Sequence, residues 1–364
     1  MEATRFSQDR RRLILDEVRL CGSVSVGDLA GQLGVSVETA RRDINALAAQ
    51  GLVNRVHGGA IARRGVDRPA HATLPTLIGK RKVGIVTPST DYFWPKVVNG
   101  VQLAANNYRG QVTLRESSYR VEDDRLQTQR LVENGQIEGL LVAPAPTKKE
   151  SSQMLAWLDA FDLPVVLMER TVPEQMLSGR LEWVVTDQVH STEVALHYLT
   201  DLGHRRIGLL AAAGKPLFGA ATDAWSRVAR TFGLDMTGVV CEQTEAFMAT
   251  DRESQLDGLI ERLLSSGTTA VIVHSDAEAI MLLQRCQELK VRVPGELSLI
   301  SYDDEIAALS DPPLTAIRPP KRQIGYEAAS LLFRRLADPA MPVHRLLLTS
   351  QLEVRSTTGA PSRR

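Results

Sequence analysis

The run from Ser25 to Gly59, SVGDLAGQLGVSVETARRDINALAAQGLVNRVHGG, sets the tightest limits on what this chain can fold into. It holds two short helical patterns with a Gly34-Val35 turn between them. Ser25 and Asp28 have the spacing of a capping box for the first helix. Ser36 is placed to cap the second, and Glu38 falls in its first turn, where a carboxylate favours the helix dipole. Leu29, Ala30 and Leu33 give the first helix an apolar face. Ala40, Ile44, Leu47 and Ala48 do the same for the second at helical spacing. The opposite face of the second helix carries Thr39, Arg41, Arg42 and Asn45, residue types that reach phosphates and base edges. Gln50-Gly51 ends the helix, and a short strand begins at Leu52, Val53 and Val56. Asn54, Arg55, His57, Gly58 and Gly59 then make a basic tip, whose glycines let the backbone bend tightly and approach a sugar-phosphate rail. Helix, turn, helix and wing together predict a small DNA-binding domain.

The T-A-R-R-D-I core, the L-A-A-Q-G-L link and the R-V-H-G-G-A wing resemble the DeoR-type winged helix-turn-helix, over roughly residues 8 to 62. That resemblance implies double-stranded operator DNA as partner. It makes Ser36, Glu38, Thr39, Arg41, Arg42, Asn45, Arg55, His57 and Gly58 the candidate DNA contacts. Charge agrees: residues 1–64 hold ten Arg, no Lys and seven acidic residues, a net of +3 in a chain that is formally neutral. For Arg10-Arg11-Arg12, at the start of the domain's first helix, phosphate contact and a solvated helix start are both open.

At 364 residues the chain suits a small domain joined to a large one. Its 43% apolar and 24% charged content is ordinary for a soluble globular protein. Cys21, Cys241 and Cys286 are far apart and form no metal-ligand spacing, so buried packing in a reducing cytoplasm is expected. No apolar run approaches membrane-spanning length, and no apolar signal-peptide core follows the N-terminal Arg cluster.

Residues 63–80 (RRGVDRPAHATLPTLIGK) lack any sustained period and read as a linker. From Arg81 onward short β-rich runs alternate with helical stretches. Strands are expected at Val83–Thr87, Gln111–Leu114, Gly139–Val142, Pro164–Met168, Trp183–Thr186, Ile207–Ala211, Ala270–His274 and Leu297–Ser301. Helices are expected at Trp94–Asn107, Glu122–Asn134, Ser191–Leu202, Ala224–Phe232, Arg252–Ser265, Ala277–Lys290 and Gln323–Ala337. Strands spaced by helices imply parallel sheets with right-handed crossovers. The strands are too many for one compact sheet, which predicts two Rossmann-like lobes.

Four stretches resemble the LacI/GalR ligand-binding domain, from about Lys82 to Gly359. They are VGIVTPSTDYFWPKVVNGVQLAANN, VVTDQVHSTEVALHYLTDLGHRRIGLL with its L-G-H-R-R-I segment, VPGELSLISYDDEIAALSDPPLTAIRPP, and the tail from Leu346 to Gly359. The resemblance implies an α/β fold: a winged helix-turn-helix (1–62), a linker (63–80) and a two-lobed, periplasmic-binding-protein type I domain (81–359). Lobe 1 would take about 81–185 and 318–345, and lobe 2 about 186–317 and 346–359. Three crossings, near Val185, Ile317 and the tail, would join them. The ligand would lie in the cleft at the carboxyl ends of the strands, and the dimer contact on the large domain.

For the ligand, a sugar or related polyol, the resemblance points to Asp91, Phe93 and Trp94, to the Glu169-Arg170 pair, and above all to Asp303. Planar polar groups would meet hydroxyls and aromatic rings the C–H faces. Two adjacent aromatics also suit a plug in the lobe, and Glu169-Arg170 also suits a surface ion pair. Asp304 is expected to cap the segment after it. Ala221 stands where relatives place an Arg, with Trp225 as the nearby aromatic, and Ser275-Asp276 replaces an Asn-Asp pair. These changes should alter hydroxyl recognition. Ala221, Ser275 and Arg318 complete the candidate ligand set.

His274 is expected to be structural, and no phosphate-cradling glycine loop, metal motif or nucleophile elbow is present, so no cofactor, metal or catalytic residue is expected. The leading reading is a transcriptional regulator, a repressor controlled by a small effector and acting as a homodimer. Its competitor is an effector-independent DNA-binding protein whose large domain is a dimerisation scaffold. An enzyme on carbohydrate has little support.

Overall fold

The computed structural model describes residues 7, 10–15, 17–18, 23–56, 58–62, 81–134, 136–145, 150–176, 179–213, 218–235 and 237–362. The expected linker, 63–80, lies outside them. The chain divides into two compact units, Met1–Thr76 and Leu77–Arg364.

In the first unit residues 10–15 are helical, followed by helices Val26–Gln32 and Val37–Ala49. Strands β1 (Ser23–Ser25), β2 (Val53–Val56) and β3 (Gly59–Ala62) form an antiparallel sheet in the order β1-β3-β2. The wing thus has one strand more than its own sequence run suggests, because β1 lies ahead of the first capped helix. A Cβ on Gly59 would stand 1.9 Å from the Val24 carbonyl oxygen, so only glycine permits the β1–β3 approach. Ile14, Leu29, Ala40, Ile44, Leu47 and Val53 form the core, where the apolar spacing of the two helices placed it.

The second unit holds two six-stranded sheets. The first contains β4 (Lys82–Thr87), β5 (Gln111–Glu116), β6 (Gly139–Val142), β7 (Val165–Met168) and β8 (Glu182–Thr186). The second contains β9 (Ile207–Ala212), β10 (Cys241–Thr244), β11 (Ala270–His274), β12 (Ser298–Tyr302) and β13 (Thr315–Arg318). β14 (Arg345–Leu348) completes the first sheet, and β15 (Gln351–Glu353) the second. The orders are β14-β8-β7-β6-β4-β5 and β10-β9-β11-β12-β13-β15. Every pairing in them is parallel except β13–β15. β6, β7, β8 and β9 are buried along their whole length, as parallel strands covered by helices on both faces must be.

The expected helices Trp94–Asn107 and Arg252–Ser265 coincide with the observed ones. Helix Glu150–Asp159 and β10, β13, β14 and β15 were not anticipated: each is short, and the strands carry charged or polar residues that break an apolar run. The chain crosses between the sheets after β8, after β13 and after β14, as expected. The division within the tail is corrected, because β14 pairs with β8 and Leu346–Leu348 therefore belongs to the first lobe. The same holds at the second crossing, where Arg318 ends β13 and stays with the second lobe.

Two glycines hold the helix of the second crossing, Lys321–Ala337, against helix Trp94–Asn107. A Cβ on Gly100 would lie 1.9 Å from the Arg322 carbonyl oxygen, and one on Gly325 1.9 Å from that of Val97. The contact is reciprocal and backbone to backbone, so neither side can yield by rotating a side chain. It sets where Trp94 and Lys321, the first residues of the two helices, emerge. Gly325→Ala should force the helices apart and destabilise the protein by about 1–3 kcal/mol, the usual result of overpacking. Urea unfolding read by circular dichroism measures it; an unchanged midpoint would contradict this account of the crossing.

Candidate functional site

In the first unit the Ser36 hydroxyl accepts a hydrogen bond from the Thr39 amide at 3.2 Å and caps helix Val37–Ala49. Ser25 caps the preceding helix in the same way, through the Asp28 amide at 3.1 Å. Arg41, Arg42 and Asn45 lie side by side on the exposed face, with Thr39 half-buried beside them. Glu38 is exposed and pairs with Arg41 at 2.9 Å, a solvent-facing pair that is easily exchanged for another partner. Arg55 is exposed on β2, and Gly58 is exposed with φ +78°, a conformation that favours glycine. His57 lies outside the described residues.

Arg10 and Arg11 do not reach outward. Their guanidinium groups meet the buried carboxylate of Asp43 at 2.5 and 2.9 Å, tying the helical residues 10–15 to helix Val37–Ala49. For Arg10 and Arg11 this internal pairing replaces both phosphate contact and a solvated helix start; Arg12 is exposed. Asp43 was missed, although its sequence position carried a signal. It lies between Ala40 and Leu47 on the inner face, where a carboxylate needs a cation, and the Arg10-Arg11-Arg12 run stands upstream of that helix.

In the second unit the carboxyl ends of β4, β7, β11 and β12 converge on a cleft between the lobes. Tyr92, Glu169 and Asp303 follow three of these strands with φ of 55°, 55° and 102°, left-handed values that non-glycine residues adopt mostly where surroundings force them. The Asp303 carboxylate is buried. Burial pushes it above the usual carboxylate range; His274 and Lys321 oppose the shift, and Asp276 and Glu305 add to it. Ser275 is buried, and its hydroxyl donates to Glu278 at 2.6 Å within a capping box for helix Asp276–Glu288. Asp276 accepts backbone hydrogen bonds from Asp304, Glu305 and Ile306 at 3.3, 2.6 and 3.0 Å, and so fixes the loop that carries Asp303.

The aromatic residues divide. Trp94 is buried and donates its indole N–H to the Tyr119 hydroxyl at 3.2 Å, with Phe93 edge-on at 5.5 Å between ring centres. Phe93 is half-buried and stands 5.4 Å from the Lys321 ammonium. Asp91 is exposed. The two aromatics adjoin, but Trp94 is turned to Tyr119 and Phe93 to Lys321, while the neighbouring Tyr92 reaches the second lobe. Tyr92 keeps 38% of its surface exposed, and its hydroxyl lies beside the Ser275 side chain and the Asp276 backbone.

Other expected ligand residues are engaged in holding the fold. Glu169 is buried and accepts from the Thr186 amide and hydroxyl at 2.9 and 2.8 Å, bracing the first crossing. Arg170 is buried and donates to the Pro144 and Glu169 carbonyls, each at 2.7 Å. The expected alternative, a surface ion pair, is corrected: both residues are inside, and burial pushes the Glu169 carboxyl up. Ala221 packs with Trp225 in the apolar core of lobe 2, where a methyl offers a ligand no hydrogen bond. Arg318 pairs with Asp304 at 2.6 Å and Glu353 at 3.0 Å, and Arg355 also meets Asp304, at 2.8 Å. Arg318 and Asp304 therefore lock the second crossing to the tail, and the expected capping role of Asp304 is replaced by this ion-pair network.

Lys321 is central and was not foreseen. Its ammonium is buried, donates to the Asp303 carbonyl and pairs with Glu305 at 2.6 Å. Only its place directly after Pro319-Pro320 hinted that it begins a crossing helix. Among the described residues no group of His, Cys, Asp and Glu is arranged to hold a metal ion, and no helix is long and apolar enough to cross a membrane.

Comparison with known proteins agrees with both halves. Residues 10–64 match the DeoR-like helix-turn-helix domain, and residues 196–358 the periplasmic binding protein-like domain. The chain is 28% identical over 330 residues to the HTH-type transcriptional repressor PurR of Vibrio atlanticus (strain LGP32), covering 86% of this chain and 92% of that one. A LacI family transcriptional regulator from Mycobacterium smegmatis superposes with a TM-score of 0.62 at 25% identity, over 77% of this chain and 100% of that one. The lac repressor dimer bound to operator and the anti-inducer ONPF superposes with a TM-score of 0.64 at 20% identity, over 78% and 95%. The protein thus joins a DeoR-like helix-turn-helix head to a periplasmic-binding-protein-like domain. Its relatives are transcriptional regulators, LacI-family proteins among them.

The position of Asp303 has a consequence for stability. Its carboxyl titrates higher in the folded protein than in the unfolded chain. The associated stability is present below the ordinary carboxylate pKa of about 3.9 and is lost as pH rises through the folded value. Asp303→Asn escapes that loss. The variant should melt at a higher temperature than the parent at pH 7, with the gap closing toward pH 4. Calorimetry at the two pH values measures it, and a variant that melts lower at pH 7 would refute the burial penalty.

Proposed function

We propose that this protein is a sequence-specific DNA-binding transcriptional repressor whose two-lobed domain binds a sugar or related small metabolite. The observation that carries the reading is the exposed Arg41–Arg42–Asn45 face on a helix held by the Ser36 cap and the Asp43 anchor. Two guanidinium forks and an amide on one helical face have the chemistry that reads guanine and adenine edges in a major groove. Ser36, Glu38 and Thr39 at the start of that helix, and Arg55, His57 and Gly58 at the wing, complete the proposed contact set, the latter mostly through phosphate. The molecule acts in the cytoplasm as a homodimer on a two-fold operator, since one head reads too few base pairs for genomic specificity. The cleft is a binding site and not an active site.

Asp303 is the proposed acceptor for effector hydroxyls, with Phe93 as the aromatic surface and Asp91 at the rim. A second reading, a large domain that only dimerises, draws support from Ala221, Glu169, Arg170 and Arg318, which are engaged internally.

Two experiments decide. Replacing Arg41 and Arg42 with Ala should lower affinity for DNA selected in vitro by the protein, at about 1–3 kcal/mol per base contact. Footprinting that shows unaltered protection would sink the DNA assignment. Asp303→Ala should leave operator binding near that of the parent and abolish release or tightening by the effector, titrated against a preformed protein–DNA complex. A parental response from Asp303→Ala moves the effector elsewhere, and no response from either protein favours the scaffold.

A further inference from the structure

The cleft is spanned by the protein's own side chains. Tyr92, on the loop after β4 of lobe 1, reaches Ser275 and Asp276 of lobe 2 with its hydroxyl. One turn further, Lys96 at the start of helix Trp94–Asn107 pairs with Glu305 of lobe 2 at 2.7 Å. The same Glu305 pairs with the buried Lys321 at 2.6 Å, and Lys321 also donates to the Asp303 carbonyl. Phe93 covers that ammonium from the lobe 1 side at 5.4 Å. Residues 92 and 96 of one short segment thus engage the Ser275 corner and Glu305 of the other lobe, while Phe93 packs over Lys321 within its own lobe.

These contacts have a common geometry. Tyr92 takes its left-handed backbone conformation, φ 55°, at the point where the strand order of the first sheet reverses, the usual ligand position in such sheets. Its phenol lies at the Ser275–Asp276 corner of lobe 2, next to Asp303. Glu305 is held in reach by the Asp276 carboxylate, which accepts its backbone amide at 2.6 Å. The lobe 2 half is therefore rigid, and the lobe 1 half consists of two side chains with partly exposed surfaces, 38% for Tyr92 and 53% for the Lys96 side chain. Both can leave without opening a void in the core.

We infer that Tyr92 and Lys96 form a latch that holds the two lobes closed in the absence of ligand, with the Tyr92 phenol acting as a tethered occupant of the cleft. The inference rests on the reading of this cleft as the effector site. It adds that the effector enters by replacing an internal ligand and does not fill an open gap. Closure is then the resting arrangement, and the effector shifts it only by the difference between its own contacts and those of Tyr92.

Hydrogen exchange on the dialysed, ligand-free full-length protein tests the latch without any effector. The reporters are the lobe 2 segments 275–278 and 303–306, which face the latch but contain neither mutated residue. Tyr92→Phe removes the hydroxyl and keeps the ring, and Lys96→Met removes the charge and keeps the stem. The double variant should exchange both segments roughly tenfold faster than the parent, while residues 314–318, on the tail side of the same sheet, keep parental rates. Lys96→Arg, which retains the ion pair, should restore the slow exchange in the Tyr92→Phe background to the level of that single variant. Equal rates in the parent and the double variant would overturn the latch, as would acceleration that extends equally to residues 314–318, since that reports general loosening. The effector titration on DNA is a separate measurement, so failure of the latch and failure of the effector reading are told apart.

Discussion

Everything in the receptor unit follows from two helices that touch through bare backbone. Gly100 and Gly325 each sit against the main chain of the other helix, which brings helix Lys321–Ala337 closer to helix Trp94–Asn107 than any side chain would allow. Because one helix begins with the cleft aromatics and the other with Lys321, the closeness of the pair places Phe93 over the Lys321 ammonium. A packing constraint well inside the first lobe thereby fixes the positions of charge and ring at the lobe boundary. The crossing helix is long and buried along much of its length, so the placement is stiff.

The buried carboxylates around the cleft show how the fold separates structure from recognition. Glu169, Asp276 and Asp304 each accept hydrogen bonds or ion pairs that fix a particular loop or crossing. Such groups are stable inside because their lone pairs are satisfied. Asp303 lies among them with its main chain tied at both ends, its amide to Ile317 at 3.0 Å and its carbonyl to Lys321, while its carboxylate faces the cleft. A carboxylate buried on a fixed backbone is what the proposed role of Asp303 as hydroxyl acceptor requires, and its burial carries a cost of the kind that functional sites retain.

Much of this was legible in the sequence, for reasons that differ by region. The head was readable because its signals are local: Ser25 and Ser36 cap helices within three residues, and Ala40, Ile44 and Leu47 mark the inner face by period alone. The parallel sheets were readable because a strand buried on both faces must be apolar throughout, as β6 and β7 are. What escaped depends on partners far away in the chain. The inner-face position of Asp43 announces that a cation is needed but not that Arg10 and Arg11 supply it, and nothing near Arg318 announces Asp304 and Glu353. Family position alone nominated Glu169, Arg170, Ala221 and Arg318 for the ligand. The structure turns their side chains to the fold, because a position can be shared while its partners change.

The order in which the sheets are completed has a consequence for synthesis. β14 closes an edge of the first sheet, β15 closes an edge of the second, and both come from residues 345–353. The segment beyond them is stitched into lobe 2, where His204 holds the Gly359 carbonyl at 2.9 Å and the Thr357 hydroxyl donates to Leu299 at 2.7 Å. Neither lobe can finish folding until these residues leave the ribosome. Among the described residues the head's core and sheet are built from residues up to Ala62, so it can fold while most of the chain is still being made. During each round of translation the helix-turn-helix head therefore stands folded, for a time set by the length of the second unit, before either lobe is complete.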